Sequence, residues 1–190
     1  MKIHENVLHP KLLKKCIEEL ISLSTLKVWG ISNAAWEENL QKDLVGTIST
    51  GNLSEEIALE LNESLKKYFP QVEEMDRMFD RLSINPNNYY EMTFQYYIWN
   101  KMAGINTHND GHVPVGATLY LNDIWHPNWG GLFVWKDKNE KKEYKLNAIC
   151  PQQNMLIIND ETEVHLVTPT SPTVPSPRLT IQIWCELKEQ

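Results

Sequence analysis

An α+β fold, with helices leading and a closed pair of sheets following, is predicted by two features of the chain. Apolar residues recur at helical spacing through most of the first half, and from about residue 90 they alternate instead. Helices gathered ahead of strands point to helices backing one face of a largely antiparallel sheet system.

The first helix is expected over Pro10–Leu23. Pro10 suits the opening turn, and Leu12, Leu13, Cys16, Ile17, Leu20 and Ile21 form one stripe. A second is expected over Ser54–Tyr68, with Ser54 as cap and Ile57, Ala58, Leu61 and Leu65 on one face. Asn85-Pro86-Asn87-Asn88 then marks a turn. Strands are expected at Met92–Trp99, Val115–Asn122, Leu132–Lys136, Tyr144–Ile149, Met155–Ile158 and Arg178–Leu187. A double-sheet jelly roll is one way to close so many short strands. The chain reads as one domain, residues 1–190, with helical support over about 1–85 and a jelly-roll core over about 90–187.

Alternate residues of a strand face opposite ways, so each strand can be split into two faces. Over Arg178–Cys185 one face carries Leu179, Ile181, Ile183 and Cys185, and the other Arg178, Thr180, Gln182 and Trp184. Over Val115–Asn122, Ala117, Leu119 and Leu121 oppose Thr118, Tyr120 and Asn122. Over Met92–Trp99, Met92, Phe94, Tyr96 and Ile98 oppose Thr93, Gln95, Tyr97 and Trp99. Large aromatics mixed into the polar faces suit a concave, half-buried cavity better than a wet outer surface.

Composition narrows the function. The formal charge of −7 and pI near 5.4 disfavour nonspecific nucleic-acid binding. No apolar run approaches the roughly 20 residues of a membrane-spanning helix. The N-terminal stretch MKIHENVLHPKLLKK lacks an apolar signal core, so the expected address is the cytoplasm. Cys16, Cys150 and Cys185 are far apart and odd in number, which favours buried free thiols over disulfides.

The stretch NTHNDGHVPVG, residues 106–116, holds the densest set of metal ligands. His108 and Asp110 stand two apart, so an extended segment points both side chains at one ion. His112 would need a helix to join them in a zinc-protease pattern, and Asn109, Asp110 and Gly111 oppose one. A distant His165 in EVHLVTP, followed by Arg178, supplies a two-histidine, one-carboxylate set that leaves half of an octahedral iron shell open. A buried Arg178 is explained by a diacid that it grips bidentately.

Five stretches, in order, carry a family likeness: HND at 108–110, LYLND at 119–123 with Trp125 after it, GGLFVW at 130–135, HLVTP at 165–169 and RLTIQIW at 178–184. Together they resemble the 2-oxoglutarate- and iron(II)-dependent oxygenases, specifically the prolyl hydroxylase type. The resemblance implies a double-stranded β-helix core. It implies iron(II) on His108, Asp110 and His165, and 2-oxoglutarate as cosubstrate held by Arg178 and Tyr120, with ascorbate as an accessory reductant. It implies further that Trp184 closes the cavity, that Tyr97 or Trp99 is the aromatic on the strand before His-x-Asp, and that Thr180 assists the cosubstrate. The segment between His165 and Arg178 is longer than is common in the family, and PQQNM stands where a glycine is frequent. The expected reaction couples oxidative decarboxylation of 2-oxoglutarate to C–H hydroxylation, on prolyl residues or free proline. Expected partners are a small-molecule or peptide substrate, with no nucleic acid and no membrane. The competing readings are a non-catalytic jelly-roll binding or sensor protein, and a zinc hydrolase using His108, Asp110 and His112. The run 136–145, KDKNEKKEYK, is most simply a solvated hairpin.

Overall fold

The computed structural model describes residues 1–23, 27–30, 46–69, 88–110, 113, 115–137, 139–142, 145–160 and 162–189. Its elements in chain order are β1 (Lys2–His4), α1 (Pro10–Ser22), β2 (Lys27–Gly30), β3 (Thr47–Asn52), α2 (Glu55–Leu65) and β4 (Asn88–Trp99). There follow β5 (Ile105–His108), β6 (Val115–Tyr120), β7 (Phe133–Trp135), β8 (Asn147–Ile149), β9 (Leu156–Asp160), β10 (His165–Val167) and β11 (Arg178–Glu189). The described strands form two sheets, one in the order β1-β9-β6-β11-β4-β3-β2 and one in the order β5-β10-β7-β8. This is the double-stranded β-helix, or jelly roll.

Strand β11 is the axis of the large sheet. It pairs with β4 along its whole length, from Arg178 opposite Trp99 to Glu189 opposite Asn88, and with β6 from Thr180 opposite Tyr120 to Cys185 opposite Val115. Its two faces feed two different cores. Ile181, Ile183 and Cys185 join Ala117, Leu119, Tyr96, Leu156 and Ile158 under the helices. On the other side Tyr97, Trp99, Tyr120 and Ile157 meet Phe133 and Val167 of the small sheet. The face split predicted for the three central strands therefore coincides with the boundary between the helix-backed core and the inside of the roll.

Both helices serve as a lid on the outer core. In α1 Leu12, Leu13, Cys16 and Leu20 are buried, and His9 caps the start by accepting from the Lys11 N–H at 3.3 Å. The helix stops at Ser22, one residue short of expectation, because Leu23 is extended. In α2 Ile57, Leu61 and Leu65 are buried. Ser54 occupies the cap position but makes no side-chain cap bond. Glu55 and Glu56 place negative charge at the exposed N–H end instead. The expected continuation to Tyr68 is a separate 3-10 turn, Lys66–Tyr68.

Three strands of the large sheet come from the segment expected to be helical support. β1 pairs with β9, and β3 bridges β2 and β4. β3 reads TISTGN, and its Ser49 and Thr50 are buried although polar, so hydropathy does not reveal it. Within the expected 144–149 strand, pairing begins at Asn147, while Tyr144 lies outside the described residues, as do residues 85–87 of the expected turn. Cys150, expected to be buried, is partly exposed, whereas Cys16 and Cys185 are enclosed. Burial pushes both enclosed thiols up to about 12.

Two outcomes are expected. Ile181→Ala should lower unfolding free energy by about 2–5 kcal/mol, read by urea denaturation, because a fully buried side chain leaves a cavity in the helix-side core. A thiol reagent at neutral pH should modify Cys150 in the native protein and reach Cys16 and Cys185 only after denaturation.

Candidate metal centre

The small sheet creates the site. β5 and β10 run antiparallel with His165 directly opposite His108. Their rings lie 4.3 Å apart, centre to centre. Asp110, two residues past His108 and buried, reaches between them. Its Oδ1 is 3.9 Å from His108 Nε2, and its Oδ2 is 3.9 Å from His165 Nε2. Ligand atoms of His108, Asp110 and His165 all lie within 4.8 Å of one another, a spacing that one ion can draw together. His112, the third histidine of the motif, lies outside the described residues.

The backbone decides which nitrogen each histidine offers. His108 Nδ1 lies 2.5 Å from the Asn106 carbonyl, and His165 Nδ1 lies 2.9 Å from the Glu163 carbonyl. A carbonyl can only accept, so Nδ1 carries the proton in each ring and Nε2 presents its lone pair to the centre. Phe133 stacks on His165, with ring centres 5.1 Å apart and 16° between planes. Burial, and then the neighbouring His108, hold His165 down to about 4, against the upward pull of Asp110. At neutral pH the imidazole is therefore uncharged, as a metal ligand must be.

Behind these residues is a cavity of about 190 Å³ between the sheets. Tyr97, Trp99, Ile105, Thr118, Tyr120, Phe133, Val167, Gln182 and Trp184 line it together with the three ligands and Arg178. Arg178 is 1 % exposed, and none of its guanidinium nitrogens has a hydrogen-bond partner among the described residues. The Tyr120 hydroxyl is likewise buried and makes no well-formed hydrogen bond among the described residues, although it lies beside Thr118 and Arg178. The guanidinium lies 4.6 Å from the Tyr120 ring centre and 5.2 Å from that of Trp99. Cation–π attraction of about 0.5–2 kcal/mol offsets only part of the cost of burying such a charge. The cavity is thus lined both by the His108-Asp110-His165 cluster and by a buried guanidinium.

The remaining predicted residues also fall here. Tyr97 and Trp99 both line the cavity. Trp99 sits beneath Arg178, whereas Tyr97 packs edge-on to Trp184 at 6.1 Å. Burial, with the Asp110 carboxylate adding to it, pushes the Tyr97 hydroxyl up to about 12. Thr180 is fully buried and accepts from Trp99 Nε1 at 2.9 Å, so it fixes the indole rather than opening onto the cavity.

Sequence reading missed Asn159 and Gly116, and it placed Thr118 and Gln182 on the cavity faces without giving them a role. Asn159 donates to Asp110 Oδ2 at 2.6 Å, and Thr118 donates to Gln182 Oε1 at 2.9 Å. Gly131 also belongs to the site: its φ of +63° suits glycine, and a Cβ there would stand 3.2 Å from the Arg178 side chain.

The 2OG-Fe(II) oxygenase superfamily model matches residues 79–186, which contain every one of these residues. The chain belongs to that superfamily. Iron(II) and 2-oxoglutarate are accordingly the cofactors of this dioxygenase. The donor chemistry fits both, with two neutral imidazoles and a carboxylate for the metal, and an unpaired buried guanidinium for a diacid. No curated protein sequence matches the chain. Among solved structures, the oxygenase is similar to a Pseudomonas putida prolyl-4-hydroxylase, with a TM-score of 0.60 and 14 % identity over 97 % of this chain and 91 % of that one. A Trichoplax adhaerens prolyl hydroxylase, in complex with a hypoxia inducible factor peptide fragment, gives 0.66 at 17 % identity, covering 97 % and 82 %. HygX from Streptomyces hygroscopicus, with nickel and 2-oxoglutarate bound, gives 0.61 at 12 %, also covering 97 % and 82 %. At such identities the likeness is one of fold.

Replacing Arg178 by Met, which keeps length and loses charge, should raise the melting temperature of the ligand-free oxygenase in a calorimetric scan. A lower value would mean that the aromatic stacking outweighs the desolvation cost.

Proposed function

We propose that this oxygenase hydroxylates proline, as a residue of a peptide or as the free amino acid, and that residues 1–190 act as a single domain. His108, Asp110 and His165 bind iron(II), and Arg178 with the Tyr120 hydroxyl binds the far carboxylate of 2-oxoglutarate. The observation that carries the reading is the meeting, in one cavity, of the His-Asp-His cluster with a buried guanidinium that has no hydrogen-bond partner among the described residues.

Bound iron and 2-oxoglutarate supply the oxidising chemistry, in which oxygen is reduced, the diacid is decarboxylated to succinate and a C–H bond gains a hydroxyl. The chain's own residues bind, orient and shield. The two carbonyl contacts lock the imidazoles with Nε2 forward. Trp99 and Thr180 brace Arg178 from below. Phe133, Ile105 and Val167 line the cavity with apolar surface that keeps water from the reacting carbon. Trp184 and Tyr97, crossing edge-on, form the wall against which a compact saturated ring can rest. The proline assignment is supported by that wall and by the fold shared with two proteins named prolyl hydroxylases.

The hydrolase reading needs a metal on His112 and leaves His165 and Arg178 idle. A binding or sensor protein would hold the diacid without turnover. Iron- and 2-oxoglutarate-dependent release of succinate separates the enzyme from both. No described helix is long and apolar enough to cross a membrane.

Incubation with iron(II), 2-oxoglutarate and a panel of proline-containing peptides and free amino acids should add one oxygen to a proline-bearing member, read by mass spectrometry. A gain on another residue would retain the oxygenase and overturn the proline assignment. Asp110→Ala should abolish metal uptake. Arg178→Ala should leave metal loading intact while weakening 2-oxoglutarate by about 30-fold or more, since loss of a buried charge-assisted pair is worth roughly 2–5 kcal/mol. Equal cosubstrate affinity in that variant would remove Arg178 from its role.

A further inference from the structure

Asp110 is the one ligand of the cluster with two equivalent donor atoms, and the fold treats them differently. Oδ2 accepts a hydrogen bond from Asn159 Nδ2 at 2.6 Å, at the short end for a charge-assisted bond. Asn159 is 3 % exposed and sits on β9, beside Ile157 on the strand face that looks into the roll. Its partner across the ladder is Gly116, and a Cβ at that glycine would fall inside contact distance of Oδ2 and 3.2 Å from Asn159 Nδ2. Two neighbouring strands thus cooperate on one oxygen. β9 supplies a donor, and β6 withholds a side chain so that the donor and the carboxylate can meet. Among the described residues Oδ1 has no such donor; it lies 3.9 Å from His108 Nε2, as Oδ2 lies 3.9 Å from His165 Nε2.

We infer that Asn159, in the space left by Gly116, is a positioning residue that holds Asp110 to a single coordinating oxygen, Oδ1. The inference rests on the iron assignment proposed above. Its consequence is a matter of counting positions. An octahedral ion held by two imidazoles and one carboxylate oxygen keeps half its shell open. A diacid chelating such an ion would fill two of those positions and leave one. A carboxylate that turns to bind through both atoms takes that last position, and turning requires Oδ2 to leave Asn159. The hydrogen bond keeps the site open without touching substrate, cosubstrate or metal.

The test counts ligand positions rather than turnover. Mn(II) replaces iron, and inner-sphere water is read from water-proton relaxation with and without 2-oxoglutarate. Wild-type protein is expected to retain a relaxing water in the Mn(II)·2-oxoglutarate complex. Asn159→Leu, which keeps volume and removes the donor, should lose most of that relaxation enhancement, and its Mn(II) affinity should fall about 10-fold. Asn159→Ala should change in the same direction and serves if the leucine variant does not fold. Either folded variant matching wild type in both measurements overturns the inference. A readout that needs no variant is NMR of the Zn(II)-loaded wild-type protein. There the assigned Asn159 side-chain amide proton should be shifted downfield and protected from exchange, and an unshifted, fast-exchanging proton overturns the inference equally. If wild-type protein takes up no Mn(II), the iron assignment itself fails. If it binds both Mn(II) and 2-oxoglutarate but the asparagine variants behave as wild type, only the role of Asn159 is lost.

Discussion

The antiparallel register of β5 on β10 sets His165 opposite His108 and brings Asp110 between them, and the rest of the site is arranged around that pairing. A shift of one residue would turn one imidazole to the outer face of the small sheet, because side chains alternate with a period of two. The pairing is short, so its own hydrogen bonds do not secure it. Neighbouring contacts do: β10 also pairs with β7, and the Phe133 ring of β7 packs flat on His165. The site is therefore fixed by the closure of the small sheet.

A second constraint comes from charge. Arg178 opens the strand that forms the axis of the large sheet, and its guanidinium is sealed between Trp99 and Tyr120. Such burial lowers the stability of the protein alone, and burial acts on Arg178 to weaken its hold on its proton. Under the proposed function this positive charge, which has no hydrogen-bond partner among the described residues, is the preorganised half of a recognition event, and the energy missing from the fold becomes available to an incoming carboxylate. Thr180 and Trp99 brace the guanidinium from below by a hydrogen bond between themselves.

Legibility in the sequence varied with the kind of signal. The helices and central strands were readable because their apolar residues keep a clear period, and the β4, β6 and β11 face split follows from parity alone. The ligands His108, Asp110 and His165, and Arg178, were readable as residue types in order. β5 and β10 were not read as strands. Each spans three or four residues, mixes polar and apolar side chains, and becomes a strand through its partner. β3 was missed because buried serine and threonine look like a loop. Asn159 was missed because an asparagine ending an apolar strand resembles a turn former, and only proximity to Asp110 gives it a task.

What the sequence by itself determined is the alternation of faces and the chemical inventory, two imidazoles, a carboxylate and a guanidinium in a fixed order, since both are local properties of the chain. What only the tertiary structure decided is which atoms of that inventory meet. One carboxylate oxygen of Asp110 is taken by Asn159, and Gly116 is small where a side chain would intrude. These choices depend on contacts between residues as much as 50 positions apart, such as Asn159 and Asp110 at a separation of 49. Such contacts exist only once the sheets have closed and fixed their registers.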